Sequence, residues 1–116
     1  MIVVDSNVIA HALITSECSS EVLEIWKIDS EWNAPLLWIS ELRSTLLKYI
    51  RIGHFSIFLV NEVLGTAREM MSSGTGTVGD EHVLRLAVDS GCSTYDCEFV
   101  AMAQQLDAPL LTYDRK

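Results

Sequence analysis

Three apolar residues, Ile2-Val3-Val4, run directly into an acid, Asp5, and the arrangement returns at the far end of the chain, where Pro109-Leu110-Leu111-Thr112 leads to Asp114. A short strand without polar alternation is buried on both faces, so each run belongs to a sheet with helices packed on either side. Asp5-Ser6-Asn7 supplies cap residues ahead of Val8-Ile9-Ala10-His11-Ala12-Leu13, so the first strand feeds a helix through a tight turn that carries a carboxylate.

The segments between these ends alternate in the same way. Ser19-Ser20-Glu21 opens an amphipathic stretch, and Pro35-Leu36-Leu37-Trp38-Ile39 is the next strand candidate. Ser40 is placed to cap a helix with Leu42, Leu46 and Ile50 on one face, Glu41 in its first turn and Gly53 at its end. A long helical pattern runs from Ser56 towards Met71. The Ser72 to Gly79 stretch follows, with room for a short strand around Thr75 to Val78. Asp80 to Ser90 is helix-like and stops at Gly91; Ser93-Thr94 then caps a helix with Asp96 in its opening turn. Alternating strands and helices predict an α/β fold, a three-layer α/β/α sandwich on a short, mostly parallel sheet. With 116 residues, 49% hydrophobic and 21% charged, the chain has the material for a single domain, residues 1–116.

Sites in such sheets lie outside the carboxyl ends of the strands. Asp5 and Asp114 stand at strand ends, and Glu41 and Asp96 open helices, so all four acids are expected on one edge. Taken singly, each reads as an ordinary helix-capping or first-turn acid. Together they repel one another, and a divalent cation relieves that repulsion. A small set of oxygen donors suits Mg²⁺ or Mn²⁺, which leave coordination positions for water and substrate phosphate oxygens. The formal charge of -8 is the reverse of what a general nucleic-acid binder carries, yet a bound cation inverts the field locally. The few basic residues placed to touch phosphate are Arg43, Lys48 and Arg51, on the helix of Glu41, and Arg115 and Lys116, after Asp114.

Val4-Asp5-Ser6-Asn7-Val8, Ser40-Glu41-Leu42, Ser93-Thr94-Tyr95-Asp96-Cys97-Glu98-Phe99-Val100-Ala101-Met102-Ala103 and Leu111-Thr112-Tyr113-Asp114-Arg115-Lys116 resemble, in order and spacing, the motifs of PIN-domain ribonucleases, and among them the VapC toxins of type II toxin-antitoxin systems. The resemblance implies a metal-dependent endoribonuclease in which Asp5, Glu41, Asp96 and Asp114 gather Mg²⁺ or Mn²⁺. It places Asn7 and Thr112 in the supporting shell and gives products with a 5′-phosphate and a 3′-hydroxyl. It also implies an RNA substrate, an antitoxin partner and a homodimer. Family members usually run on through another short strand and a terminal helix, so an ending at Lys116 is expected to leave Asp114 less firmly held. The Ser72 to Gly79 stretch stands where a more regular strand is common.

Other readings fail on residues. A phospho-accepting receiver needs a Lys after its last strand, where Leu111-Thr112-Tyr113 has none, and a dehalogenase-like phosphatase needs an acid where Asn7 stands. Gly74-Thr75-Gly76-Thr77-Val78-Gly79 matches a dinucleotide fingerprint by letters but follows a helix rather than a strand. The alternative from another class is a PIN-like protein-interaction module with little catalysis, against which the retention of four mutually repelling acids counts. Cys18, Cys92 and Cys97 form no Cys-x-x-Cys pair, and no leader or membrane-length apolar run is visible, so a cytoplasmic protein is expected. Trp26, Trp32 and Trp38 suit either a core or an interface.

Overall fold

The computed structural model describes residues 1–113; Asp114, Arg115 and Lys116, and the expectations attached to them, lie outside the described residues. The elements are β1 (Ile2–Val4), α1 (Ser6–Leu13), α2 (Ser19–Ile28), β2 (Trp32–Pro35), α3 (Trp38–Arg51), α4 (Ile57–Met70), β3 (Thr75–Gly76), α5 (Asp80–Ser90), α6 (Thr94–Leu106) and β4 (Leu110–Leu111). The four strands form one sheet in the order β3-β2-β1-β4, and every pairing is parallel.

Strand period sets the layers. Val4 packs with residues of α1, α2, α3 and α4, while Val3 packs with Met102 and Ala103 of α6. Successive side chains of a strand point to opposite faces, so β1, buried on both, is the central layer of the expected α/β/α sandwich. Behind α6, Val83 of α5 joins Cys97 and Ala101 in a separate cluster. Trp32 and Trp38 are fully buried core residues, and Trp26 stands edge-on to Trp32 with ring centres 4.9 Å apart.

Local signals locate some of the helix ends. Ser56 accepts from the Leu59 amide and Ser93 from the Asp96 amide, each filling one of the unpaired donors of a first turn. Gly91 caps α5 with φ 75, the left-handed conformation that favours glycine. The helix expected over residues 80–90 has those bounds.

The second strand needs correcting. It spans Trp32–Pro35, not Pro35 to Ile39, and the helix expected to be capped by Ser40 begins at Trp38 with Leu37 as its cap. A five-residue apolar run has no period that separates strand from helix. Pairing decides it: Ile2 registers with Trp32 and Val3 with Asn33, while the Ala34 amide donates to the Gly74 carbonyl at 3.0 Å and the Leu36 amide to Gly76 at 2.9 Å. Trp38 is then drawn into the first turn of α3, where its Nε1 donates to Thr75 Oγ1 at 2.8 Å. Asn33, whose Nδ2 donates to the Ile2 carbonyl, interrupts the apolar pattern that marks a buried strand.

Candidate active site

Asp5 sits where β1 becomes α1. Its amide donates to the Leu111 carbonyl at 3.0 Å, extending the pairing of β1 with β4, and its carbonyl accepts from Val8 inside the first turn. Its carboxylate is held at both oxygens. Oδ1 accepts from the Ser6 amide at 2.7 Å, and Oδ2 accepts from the Thr112 hydroxyl at 2.8 Å. Thr112 follows β4, so its contact joins the two ends of the chain across the sheet edge. Asn7 works beside it: its Oδ1 accepts from the Tyr113 amide at 3.4 Å, tying α1 to the backbone that leads into Asp114.

Glu41 and Asp96 lie in the first turns of α3 and α6. Packing of α1 on α3 brings Glu41 to the side of Asp5. Burial pushes the Glu41 carboxyl above the usual carboxylate range, and the neighbouring charges of Asp5, Asp96 and Glu98 push it further, against an opposing hydrogen bond from the Ser6 hydroxyl. Three acids read from the sequence therefore share one electrostatic neighbourhood. A fourth, Glu98, joins them and was not singled out from the sequence, where it reads as a solvent-facing residue of α6; its only signal was its place two residues after Asp96.

Glu41 Oε1 is buried and has no hydrogen-bond partner among the described residues. A buried anionic oxygen without a donor is costly, and every charge found around it is negative. A cation would supply what the site lacks, and an all-oxygen donor set suits Mg²⁺ or Mn²⁺. Among the described residues, no three His, Cys, Asp or Glu side chains come close enough to enclose a metal ion by themselves. Such a site leaves most coordination positions to water and substrate, with Asp114 beyond the described residues.

The raised Glu41 pKa contributes to the pH dependence of the metal-free fold. A folded-state pKa above the ordinary value of 4.5 gives stability that is complete below pH 4.5 and is lost as pH rises through the folded pKa. Thermal unfolding in EDTA is expected to show Glu41→Gln losing less stability than the wild type from pH 4.5 towards neutrality. At neutral pH the variant should be the more stable protein; equal pH slopes would contradict the burial argument.

The acids separate two depressions. One, about 520 Å³, is bordered by Glu41 and Asp96 with Ser6, Ser40, Thr45 and Ser93. The other, about 170 Å³, opens beside Asp5 and Asp96 and has apolar walls. Arg43 is exposed on α3, but 3.6 residues per turn set it about 200° round the helix from Glu41, so it does not share the face of the acids. Lys48, seven residues from Glu41, returns to that face about 10 Å along the axis. The glycine-rich segment is a loop around β3 with no fingerprint geometry, since α4 precedes it. Cys97 is buried packing against α5, as its type suggests.

No curated protein matches the chain. Among solved structures, the crystal structure of PAE2754 from Pyrobaculum aerophilum superposes with a TM-score of 0.77 over 98% of this chain and 80% of that one, at 21% identity. At that identity the likeness is one of fold. The family model described as PIN domain matches residues 2–116, spanning β1 through the four sequence motifs, and the chain belongs to the PIN domain family.

Proposed function

We propose that this protein is a metal-dependent endoribonuclease, acting as the toxin of a toxin-antitoxin pair. PIN domains are a nuclease fold, and the observation that carries the finer reading is the buried, unpartnered Glu41 Oε1 between Asp5 and Asp96. Asp5, Glu41, Asp96 and Asp114 would hold Mg²⁺ or Mn²⁺. When bound, the ion makes water a stronger nucleophile and offsets charge growing on the phosphodiester. Thr112 and Ser6 fix the Asp5 carboxylate in one orientation, and Asn7 holds the backbone at Tyr113, just after β4. Arg115 and Lys116 supply positive charge for RNA phosphates, a role to which Arg43 is less suited by its side of α3.

Supporting residues of this kind are worth about 10- to 100-fold in metal affinity or activity. Thr112→Val, which keeps the shape and removes the hydroxyl, is expected to weaken Mn²⁺ binding within that range while leaving the unfolding midpoint in EDTA nearly unchanged. Calorimetric titration of Mn²⁺ checks it, and undiminished affinity would release Thr112 from the role.

A homodimer and an antitoxin partner fit the surface. Ile52, Ile57 and Phe58 stand exposed together where α3 turns into α4, and a chain of formal charge -8 is complementary to a basic partner. No helix among the described residues is long and apolar enough to cross a membrane. The decisive experiment is incubation of mixed total RNA with the protein in Mn²⁺, in Mg²⁺ and in EDTA. Cleavage with either cation that EDTA abolishes supports the ribonuclease. Intact RNA under every divalent cation would leave the interaction module as the better reading.

A further inference from the structure

Two thiols bracket the helix start that carries Asp96. Ser93 is the N-cap of α6, so Cys92 stands just before the cap and Cys97 is the fourth residue of the helix, with Asp96 third. Side chains at the positions before the cap and four into the helix often pack against each other across the first turn, as a hydrophobic staple. In this chain both positions hold cysteine. With four residues between them, they are not the Cys-x-x-Cys of a thiol-exchange catalyst.

Contacts around Ser90, the last residue of α5, bring the two together. Its Oγ accepts from the Cys92 amide at 3.1 Å and lies 3.8 Å from Cys97 Sγ, so one hydroxyl touches both cysteines. The Cys97 amide donates to the Ser93 carbonyl at 3.1 Å, closing the turn between them. A disulfide sets its two Cβ atoms about 3.5–4.5 Å apart. Cys92 belongs to the loop between α5 and α6, so the adjustment that brings it to this spacing falls on loop backbone and not on a helix. Exposure orders the chemistry: Cys92 is open to solvent, and Cys97 is buried at 4% exposure behind it.

We propose that Cys92 and Cys97 form a redox-sensitive pair, oxidised by a peroxide to a reversible disulfide across the first turn of α6. The peroxide O–O bond breaks on the exposed Cys92 sulfur, whose S–H becomes S–OH as one water leaves. Cys97 then attacks that sulfur: the S–O bond breaks, the S–S bond forms and the second water leaves with the Cys97 proton. The two thiols together lose two electrons, and the peroxide gains them. An excess of small thiol reopens the bond by exchange, as expected of a disulfide in a reducing compartment. The closed ring contains Asp96, whose amide is already held by Ser93 Oγ, so oxidation stiffens the turn that presents this acid. The pair is independent of the ribonuclease reading.

The test treats the full chain in EDTA with hydrogen peroxide, then denatures, alkylates with iodoacetamide and digests with trypsin, which leaves both cysteines on the one peptide between Arg85 and Arg115. From oxidised protein this peptide is expected to take no alkyl group and to be lighter by two hydrogens than its reduced, unalkylated form. Dithiothreitol should restore two alkylation sites. Cys18→Ser, which removes the third thiol, should give the same result, and Cys92→Ser should never yield the lighter peptide. Oxidation should also raise the urea midpoint of wild type and slow hydrogen exchange in the first turn of α6, with neither effect in Cys92→Ser. Full alkylation after peroxide, or chains cross-linked through Cys92 in place of the intrachain bond, would overturn the proposal. A lighter peptide with unchanged exchange around Asp96 would overturn it too, since the bond would then leave that turn as it was.

Discussion

Asp96→Asn is expected to lower metal-dependent RNA cleavage by on the order of 10³-fold, since losing a mere supporting partner of a metal ligand already costs about 10- to 100-fold. The variant is a clean one. Asp96 is exposed, the bond that caps α6 runs from its backbone amide to Ser93 Oγ at 3.1 Å, and asparagine keeps the side-chain shape. Two small effects on the fold oppose one another. A negative charge leaves a helix N-terminus, worth about 0.3–1 kcal/mol, and a charge that repels Glu41 leaves with it. Denaturation in EDTA should therefore find Asp96→Asn as stable as wild type or slightly more so. Added Mn²⁺ should raise the wild-type unfolding midpoint and raise that of the variant much less. Wild-type turnover in the variant would dismiss Asp96 as a ligand, and an unfolded variant would show that its carboxylate serves the fold.

Gly74→Ala should be strongly destabilising. A Cβ at position 74 would lie 1.9 Å from the Trp32 carbonyl oxygen, 2.9 Å from its carbon and 3.0 Å from Asn33 Cα. All three are backbone atoms, so no rotamer change relieves the overlap and the chain entering β3 must move off β2. That shift breaks the Ala34 to Gly74 bond and drags Thr75 away from Trp38, loosening the turn that starts α3 and carries Glu41. Overpacking a well-filled site costs about 1–3 kcal/mol and more where backbone must yield, so we expect a loss of about 3 kcal/mol or above. Against a domain stability of about 5–15 kcal/mol this is a large fraction. Urea denaturation checks it: a midpoint within error of wild type would mean that the approach of the loop to β2 is not what the geometry indicates.

Ser56, Ser93 and Gly91 act within a single helical turn, and their roles were legible because the groups they satisfy lie a few residues away. The strand over Trp32–Pro35 was not, because Asn33 hides its pattern and its partners are β1 and the loop at Gly74, distant in sequence. For the candidate site, the carboxylates at strand ends and in first turns were visible one by one. Glu98 was not, since a lone acid on a helix has no sequence mark that separates a solvated face from one turned towards Glu41. Arg43 looked well placed by proximity to Glu41 in the chain, but helical geometry turns it aside.

Although β3 and β4 at the sheet's two edges are only partly covered, β4 against the expectation of a buried strand, the sequence by itself determined the alternation of strands and helices, the parallel α/β class, and the placing of Asp5, Glu41 and Asp96 at ends and openings of elements. These follow from apolar periodicity and capping chemistry, which are encoded within a few neighbouring residues. Only the tertiary structure decided that β1 lies between β2 and β4, that Thr112 reaches back across 107 residues to hold Asp5, and that Glu41 Oε1 is buried without a donor beside like charges. Pairing partners and burial depend on which distant surfaces fill space together, and no local stretch of chain contains that choice.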